Sequence, residues 1–224
     1  MDRSSFLQLP FLRDLNETTA VALLANVKQR SPRKWTTLIK EGEFPDFLHI
    51  IVDGFVELFS SHNDKEVTFE IAEPASPLFL TAVMCGGVSV YSARTITPSR
   101  ILMIPAQDVR DLCKRDPLFA QTIINRIADG YNRSLRDIKN IRLCSNFERA
   151  ANWILQTGRS QDNNGRIELK FGKAKLAALL GMPPETLSRS FALLREHGVR
   201  SFGRTIIIEN MFALAKMCHA KKTL

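Results

Sequence analysis

Glu185, Ser188, Arg189 and Arg195 fall on one outward face of a short helical stretch, Pro184 to His197, once Leu187, Phe191, Leu194 and Ala192 are turned inward. An arginine engages the two acceptors of a guanine edge together, a carboxylate accepts from the cytosine amino group, and a serine serves either role. Arg189 is therefore matched to guanine, Glu185 to cytosine, and Ser188 to a neighbouring base or a thymine methyl. A carboxylate aimed at DNA is opposed by the phosphates, so Glu185 beside Arg189 favours base reading over backbone contact. The plainer alternative is a Glu185 to Arg189 pair one helical turn apart on a solvated surface, worth about 0.2 to 0.5 kcal/mol.

The elements that must hold these groups are legible around them. Lys173 to Leu180 reads as a preceding helix with Leu176, Ala177 and Leu180 on its inner face. Gly181-Met182-Pro183 is too brief a turn for the two helices to lie antiparallel, so they must cross steeply. Modules of this kind put the first residues of the second helix in the major groove, here Pro183, Pro184, Glu185, Thr186, Ser188 and Arg189. VRSFGRTIIIE then reads as a β-hairpin, a wing with Arg200 and Arg204 near its tip for phosphate contact. Lys173 joins the expected DNA contacts at the start of the first helix.

Upstream, the 224 residues change character twice. A leading helix is expected from about Leu15 to Gln29 behind Asn16 as a cap. From Trp35 to Pro105, short β-branched runs (TTLI, FLHIIV, FVELF, VTFEIA, YSARTI, ILMIP) are cut by turn residues, the pattern of a β-sandwich or barrel. Gln107 to Lys114 is a short helix, and Leu118 to about Ser145 a long one. Along the long helix Ile124, Ile127, Tyr131, Ser134, Ile138 and Ile141 recur at alternating spacings of three and four, the seam of a helix paired with its own copy. Phe147 to Gly158 is a further helix, followed by a polar turn, Gln161 to Gly165.

Charge points the same way. The formal net charge is +8, and residues 1 to 146 hold 18 basic and 17 acidic side chains, whereas residues 147 to 224 hold 13 and 6. A small basic module beside a near-neutral one suits a polyanion. The absence of a long apolar run and of a secretory signal leads to the expectation of a soluble cytoplasmic protein without membrane contact. Cys85, Cys113, Cys144 and Cys218 are scattered singly and read as free thiols. A barrel enzyme built on a metal would need clustered histidines with carboxylates. The four histidines here are far apart, so no enzyme is expected.

These motifs, above all LIKEGEFPDFLHIIVDGFVELF, the long helix and LGMPPETLSRSFALLREHGV with its wing, resemble the regulators related to the cyclic-AMP receptor protein and the fumarate and nitrate reduction regulator, the CRP/FNR family. The resemblance covers almost the whole chain. It implies an α+β protein with an eight-stranded jelly-roll sensor domain of the cyclic-nucleotide-binding type (1–117), a dimerisation helix (118–146) and a C-terminal winged helix-turn-helix (147–224). It further implies a homodimer on double-stranded DNA, TTGAT-like half-sites, and contact with RNA polymerase. Family members that bind cyclic nucleotides use a Gly-Glu-Leu segment and an Arg-Ser pair. Those positions are Leu80-Thr81-Ala82 and Tyr91-Ser92 here, so cyclic AMP is not expected. No cysteine precedes Cys85, so an iron-sulfur cluster is not expected either. What remains resembles the nitric-oxide-responsive denitrification branch, which makes haem a possible cofactor with His49, His62 or Cys85 as ligand. The rival reading is a cyclic-nucleotide-binding module with an output other than DNA.

Overall fold

A computed structural model describes residues 17–63, 65–161 and 165–220. Contacts divide the chain into two compact units, residues 1–133 and 134–224.

In the first unit, α1 (Glu17–Ala25) precedes β1 (Lys28–Arg30), β2 (Thr37–Ile39), β3 (Phe47–Asp53), β4 (Val56–His62), β5 (Lys65–Ala72) and β6 (Pro77–Leu78). Then come α2 (Leu80–Cys85), β7 (Ser92–Thr95), β8 (Arg100–Pro105) and α3 (Ala106–Arg115). The eight strands form two antiparallel four-stranded sheets, ordered β1-β8-β3-β6 and β2-β7-β4-β5. This is the expected jelly-roll class. Register is set by apolar pairs such as Leu48 opposite Ile104 and Ile50 opposite Leu102, all buried. The turn between β3 and β4 needs glycine. Gly54 has φ +90°, and a Cβ there would lie 2.7 Å from the Pro98 carbonyl.

Four elements differ from expectation. The leading helix ends at Ala25, and its tail is strand β1; the Asn16 cap lies outside the described residues. β1 reads Lys-Gln-Arg and is exposed throughout, so its pairing with β8 is a backbone matter that no apolar alternation announces. β6 is two residues long, and α2 is a six-residue helix entered through Phe79 in the left-handed conformation, φ 64°.

The long helix, α4 (Pro117–Leu143), is capped by Asp116, whose Oδ1 accepts from the amides of Leu118 (3.0 Å) and Phe119 (3.1 Å). Its first turns bury Phe119 and Ile123 in the core of the first unit, with Ile127 packed against that core. Beyond that point its apolar residues are bare.

In the second unit α5 (Asn146–Gln161) follows almost at once. Ser145 and Glu148 form a reciprocal cap: the Glu148 carboxylate accepts from the Ser145 amide (2.8 Å), and the Glu148 amide donates to Ser145 Oγ (3.3 Å). β9 (Arg166–Glu168), α6 (Lys173–Leu179), α7 (Pro184–Leu194), a 3₁₀ turn (Arg195–His197), β10 (Val199–Phe202), β11 (Thr205–Ile208) and α8 (Met211–Ala220) complete the chain. The hairpin has a third strand, in the order β10-β11-β9, which the sequence reading lacked. β9 is three residues with one buried side chain, Ile167, too short to register as a pattern.

Candidate nucleic-acid interface

The two short helices cross over a shared apolar plug of Leu176, Ala177, Leu180, Met182, Leu187, Phe191 and Leu194, all buried. Gly181, φ 63°, carries the chain through the turn, and the Met182 amide closes it on the Ala177 carbonyl at 3.0 Å. Pro183 caps α7 and Pro184 opens it, where the missing amide hydrogen costs nothing and the ring presets φ. With its apolar edge so fixed, α7 turns Glu185, Ser188 and Arg189 to solvent on one face. No ion pair or hydrogen bond joins Glu185 to Arg189 among the described residues. Ser188 Oγ donates to the Pro184 carbonyl (3.0 Å), so towards a base this hydroxyl is an acceptor first. Thr186 is half-buried, its carbonyl taking a 3.0 Å bond from the buried Ser190 hydroxyl.

Ala192 is exposed, against the expectation that it faces inward, and so is Leu193 at 51%. Leu187, Phe191 and Leu194 already span the buried arc of an 11-residue helix and leave no room for a wider one.

Lys173, Pro184, Ser188 and Arg195 are brought together. They line a cleft of about 290 Å³ between α6, α7 and the hairpin, with Phe191 and Ser201 as its floor. Lys173 Nζ stands 5.5 Å from the Phe191 ring centroid, and among the described residues the buried Ser201 hydroxyl has no hydrogen-bond partner. At the hairpin, Gly203 (φ 56°) and Arg204 make the two-residue turn, so Arg204 is at the tip. Arg200 is not. It sits opposite Ile207 near the hairpin base, and its Nε is 2.6 Å from a Glu209 carboxylate oxygen, which corrects the expectation of two arginines at the tip.

On α4, Ile124, Tyr131, Ser134, Ile138 and Ile141 are exposed, Tyr131 by 64%, Ile138 by 50% and Ile141 by 59%. Ile127 instead packs against the core of its own unit. Leu135, also exposed, belongs to the same stripe and was missed because Ser134 holds the adjacent register position.

The effector candidates do not converge. His62 ends β4 at the surface, and Cys85 is exposed at the end of α2. His49 and Tyr91 both meet Phe79, which is 1% exposed. His49 meets it edge-on with centroids 5.3 Å apart, and Tyr91 stacks on it at 5.4 Å. The Tyr91 hydroxyl accepts from the Phe79 amide at 2.8 Å, and burial pushes its own ionisation up to about 12. Burial also pushes His49 down to about 4, outweighing its bond to the Phe47 carbonyl, so the imidazole is neutral at ordinary pH. His49 is 6% exposed and packed edge-on against Phe79, so as packed it is closed to a haem iron. Among the described residues, no group of three His, Cys, Asp or Glu side chains is placed to hold a metal ion.

The sequence reading also missed a buried ion pair. Glu57, fully buried on β4, receives Arg94 Nε (2.8 Å) and Thr68 Oγ1 (2.6 Å), while the Arg94 guanidinium lies 4.1 Å from the Phe59 ring centre and reaches Glu66. Its only trace in the sequence is a carboxylate inside the apolar run FVELF.

This architecture combines a jelly-roll β-sandwich with a winged helix-turn-helix. Residues 29–116 match the family profile of the cyclic nucleotide-binding domain, and residues 148–217 that of the Crp-like helix-turn-helix domain. The chain belongs to the CRP/FNR family of DNA-binding transcription regulators. No curated protein sequence matches it. Solved structures share the fold at low identity. FixK2 from Bradyrhizobium japonicum superposes with a TM-score of 0.77 at 18% identity over 85% of this chain and 96% of that one. A CRP/FNR-family transcriptional regulator from Thermus thermophilus gives 0.67 at 19%, over 86% and 98%. The c-di-GMP-responsive global regulator CLP of Xanthomonas campestris gives 0.73 at 14%, over 87% and 100%. Among the described residues no helix is long and apolar enough to cross a membrane.

Proposed function

We propose that two copies of this chain pair along α4 and read a palindromic DNA site. The amino end of each α7 enters the major groove, with Glu185, Ser188 and Arg189 on bases and Pro184 and Thr186 beside them. Lys173, Arg195 and Arg204 take backbone phosphates, whereas Arg200 acts through its bond to Glu209. The observation that carries this reading is the unpaired outward face of α7: one acidic and one basic side chain, both exposed, project from a helix whose other face is fully committed to the core. Pairing is supported by the bare stripe Ile124, Tyr131, Ser134, Ile138 and Ile141, because an apolar face of that length exposed to water favours burial against its own copy. Half-sites about 34 Å apart then face the two recognition helices. Promoter output would run through contact with RNA polymerase.

The sensed signal is proposed to differ from cyclic AMP, since Tyr91 stands where family members place the phosphate-binding arginine and its hydroxyl already serves the Phe79 amide. Nitric oxide sensed through haem, the reading taken from the resemblance, requires a rearranged Phe79 before His49 is open to iron. An absorption spectrum after haem addition, with and without nitric oxide, decides it: a Soret band that moves with nitric oxide supports haem, and a featureless spectrum removes it.

The DNA reading is tested by titrating a TTGAT palindrome and a scrambled duplex over a salt series. Binding of the palindrome about 10³-fold or more tighter is expected. Equal affinity for the two duplexes would refute it.

A further inference from the structure

Two helices end at one guanidinium. α4 closes at Leu143 and α6 at Leu179, and the last carbonyls of a helix have no partner inside it. Arg149, in the first turn of α5, reaches the ends of both. Its Nη1 donates to the Cys144 carbonyl (3.1 Å), its Nε to the Leu180 carbonyl (2.9 Å), and its Nη2 to the Gly181 carbonyl (3.2 Å) and to Asn146 Oδ1 (2.5 Å). A fixed planar fork suits this divergent set, and a cation at two helix C-termini is favoured by both macrodipoles. The reciprocal cap of Ser145 and Glu148 holds the turn from which Arg149 projects. Leu180 and Gly181 lie in the turn that leads, through Met182 and Pro183, into the recognition helix.

We propose that Arg149 is a positioning residue for DNA reading: it ties the turn before α7 to the end of α4, so the long helix dictates where the recognition helix points. The proposal rests on the reading of α7 as the base-contacting helix of a paired protein. A displaced α4 end then moves the Leu180–Gly181 carbonyls with it, because one side chain holds both.

The test uses the full chain as wild type, Arg149→Ala and Arg149→Lys. Hydrogen exchange of Arg149→Ala is expected to rise roughly tenfold in residues 140–146 and 178–185 together, with the hairpin at 199–208 unchanged. Its affinity for the two-half-site palindrome falls roughly tenfold or more, while affinity for a duplex with a single half-site holds within about threefold. Arg149→Lys keeps the charge, loses the fork and stays defective on the palindrome. Exchange that rises throughout residues 134–220 or in neither segment overturns the proposal, as does equal loss on the two DNAs or full recovery by lysine. A wild-type chain that binds neither DNA removes the DNA reading and this proposal with it, before any variant is measured.

Discussion

His49 offers a perturbation whose size follows from its surroundings. The imidazole is buried in the first unit against Phe79, and burial lowers its pKa from 6.5 to about 4. Above pH 6.5 neither the folded nor the unfolded chain protonates this group, so it adds no pH dependence. Between pH 6.5 and about 4 the unfolded chain binds a proton that the folded chain refuses, and stability falls with acidity. Below about 4 both states are protonated and the slope vanishes. At about 1.4 kcal/mol per pKa unit, the full loss is about 3 kcal/mol. Carboxylates also titrate in this window, so the measured quantity is the difference between wild type and His49→Gln, whose amide can still bond the Phe47 carbonyl. Urea denaturation followed by Trp35 fluorescence, in a Trp153→Phe background, reads the first unit alone. Wild type should lose about 3 kcal/mol more than His49→Gln on going from pH 7 to pH 4. Parallel stability curves through that range would refute the assignment of a buried neutral imidazole.

At the wing, Arg204→Ala should weaken binding to palindromic and scrambled duplexes alike and lower the salt slope by about 1, whereas Arg200→Ala, whose guanidinium is held by Glu209, should change binding far less; titrations at several salt concentrations separate them. Ile138→Glu places a charge in the middle of the bare α4 stripe and should convert the dimer to monomer in analytical ultracentrifugation at micromolar concentration, with loss of palindrome binding. A variant that remains dimeric would put the seam elsewhere. Glu57→Ala strips Arg94 of its buried partner and should cost about 3 kcal/mol in urea denaturation, the low end for a broken buried pair because Glu66 remains.

The parts of this protein that were legible in its residues are those where one physical rule acts over many positions. The short apolar, β-branched runs FLHIIV and ILMIP yield two strands that do pair, and Pro183-Pro184 with the arc Leu187, Phe191 and Leu194 places α7 and its outward face. What escaped was held by backbone or by distant partners. β1 and β9 are three-residue strands whose pairing owes little to side-chain pattern. Glu57 and Arg94 are 37 residues apart and meet only because β4 and β7 are neighbours in a sheet. Arg200 and Ile127 satisfied the patterns expected of a wing tip and a dimer seam, yet each is claimed by a local partner, Glu209 in one case and the core of the first unit in the other. The crossing of Arg149 over two helix ends depends on loop geometry that no spacing rule encodes.

The most direct trial of the account is a base-by-side-chain cycle on the palindrome. Arg189→Ala should cost about 1 to 3 kcal/mol on the intact half-site and almost nothing once the guanine it engages is replaced, with Glu185→Ala behaving likewise at the cytosine. Losses that stay the same whichever base pair is altered would show that α7 does not read sequence.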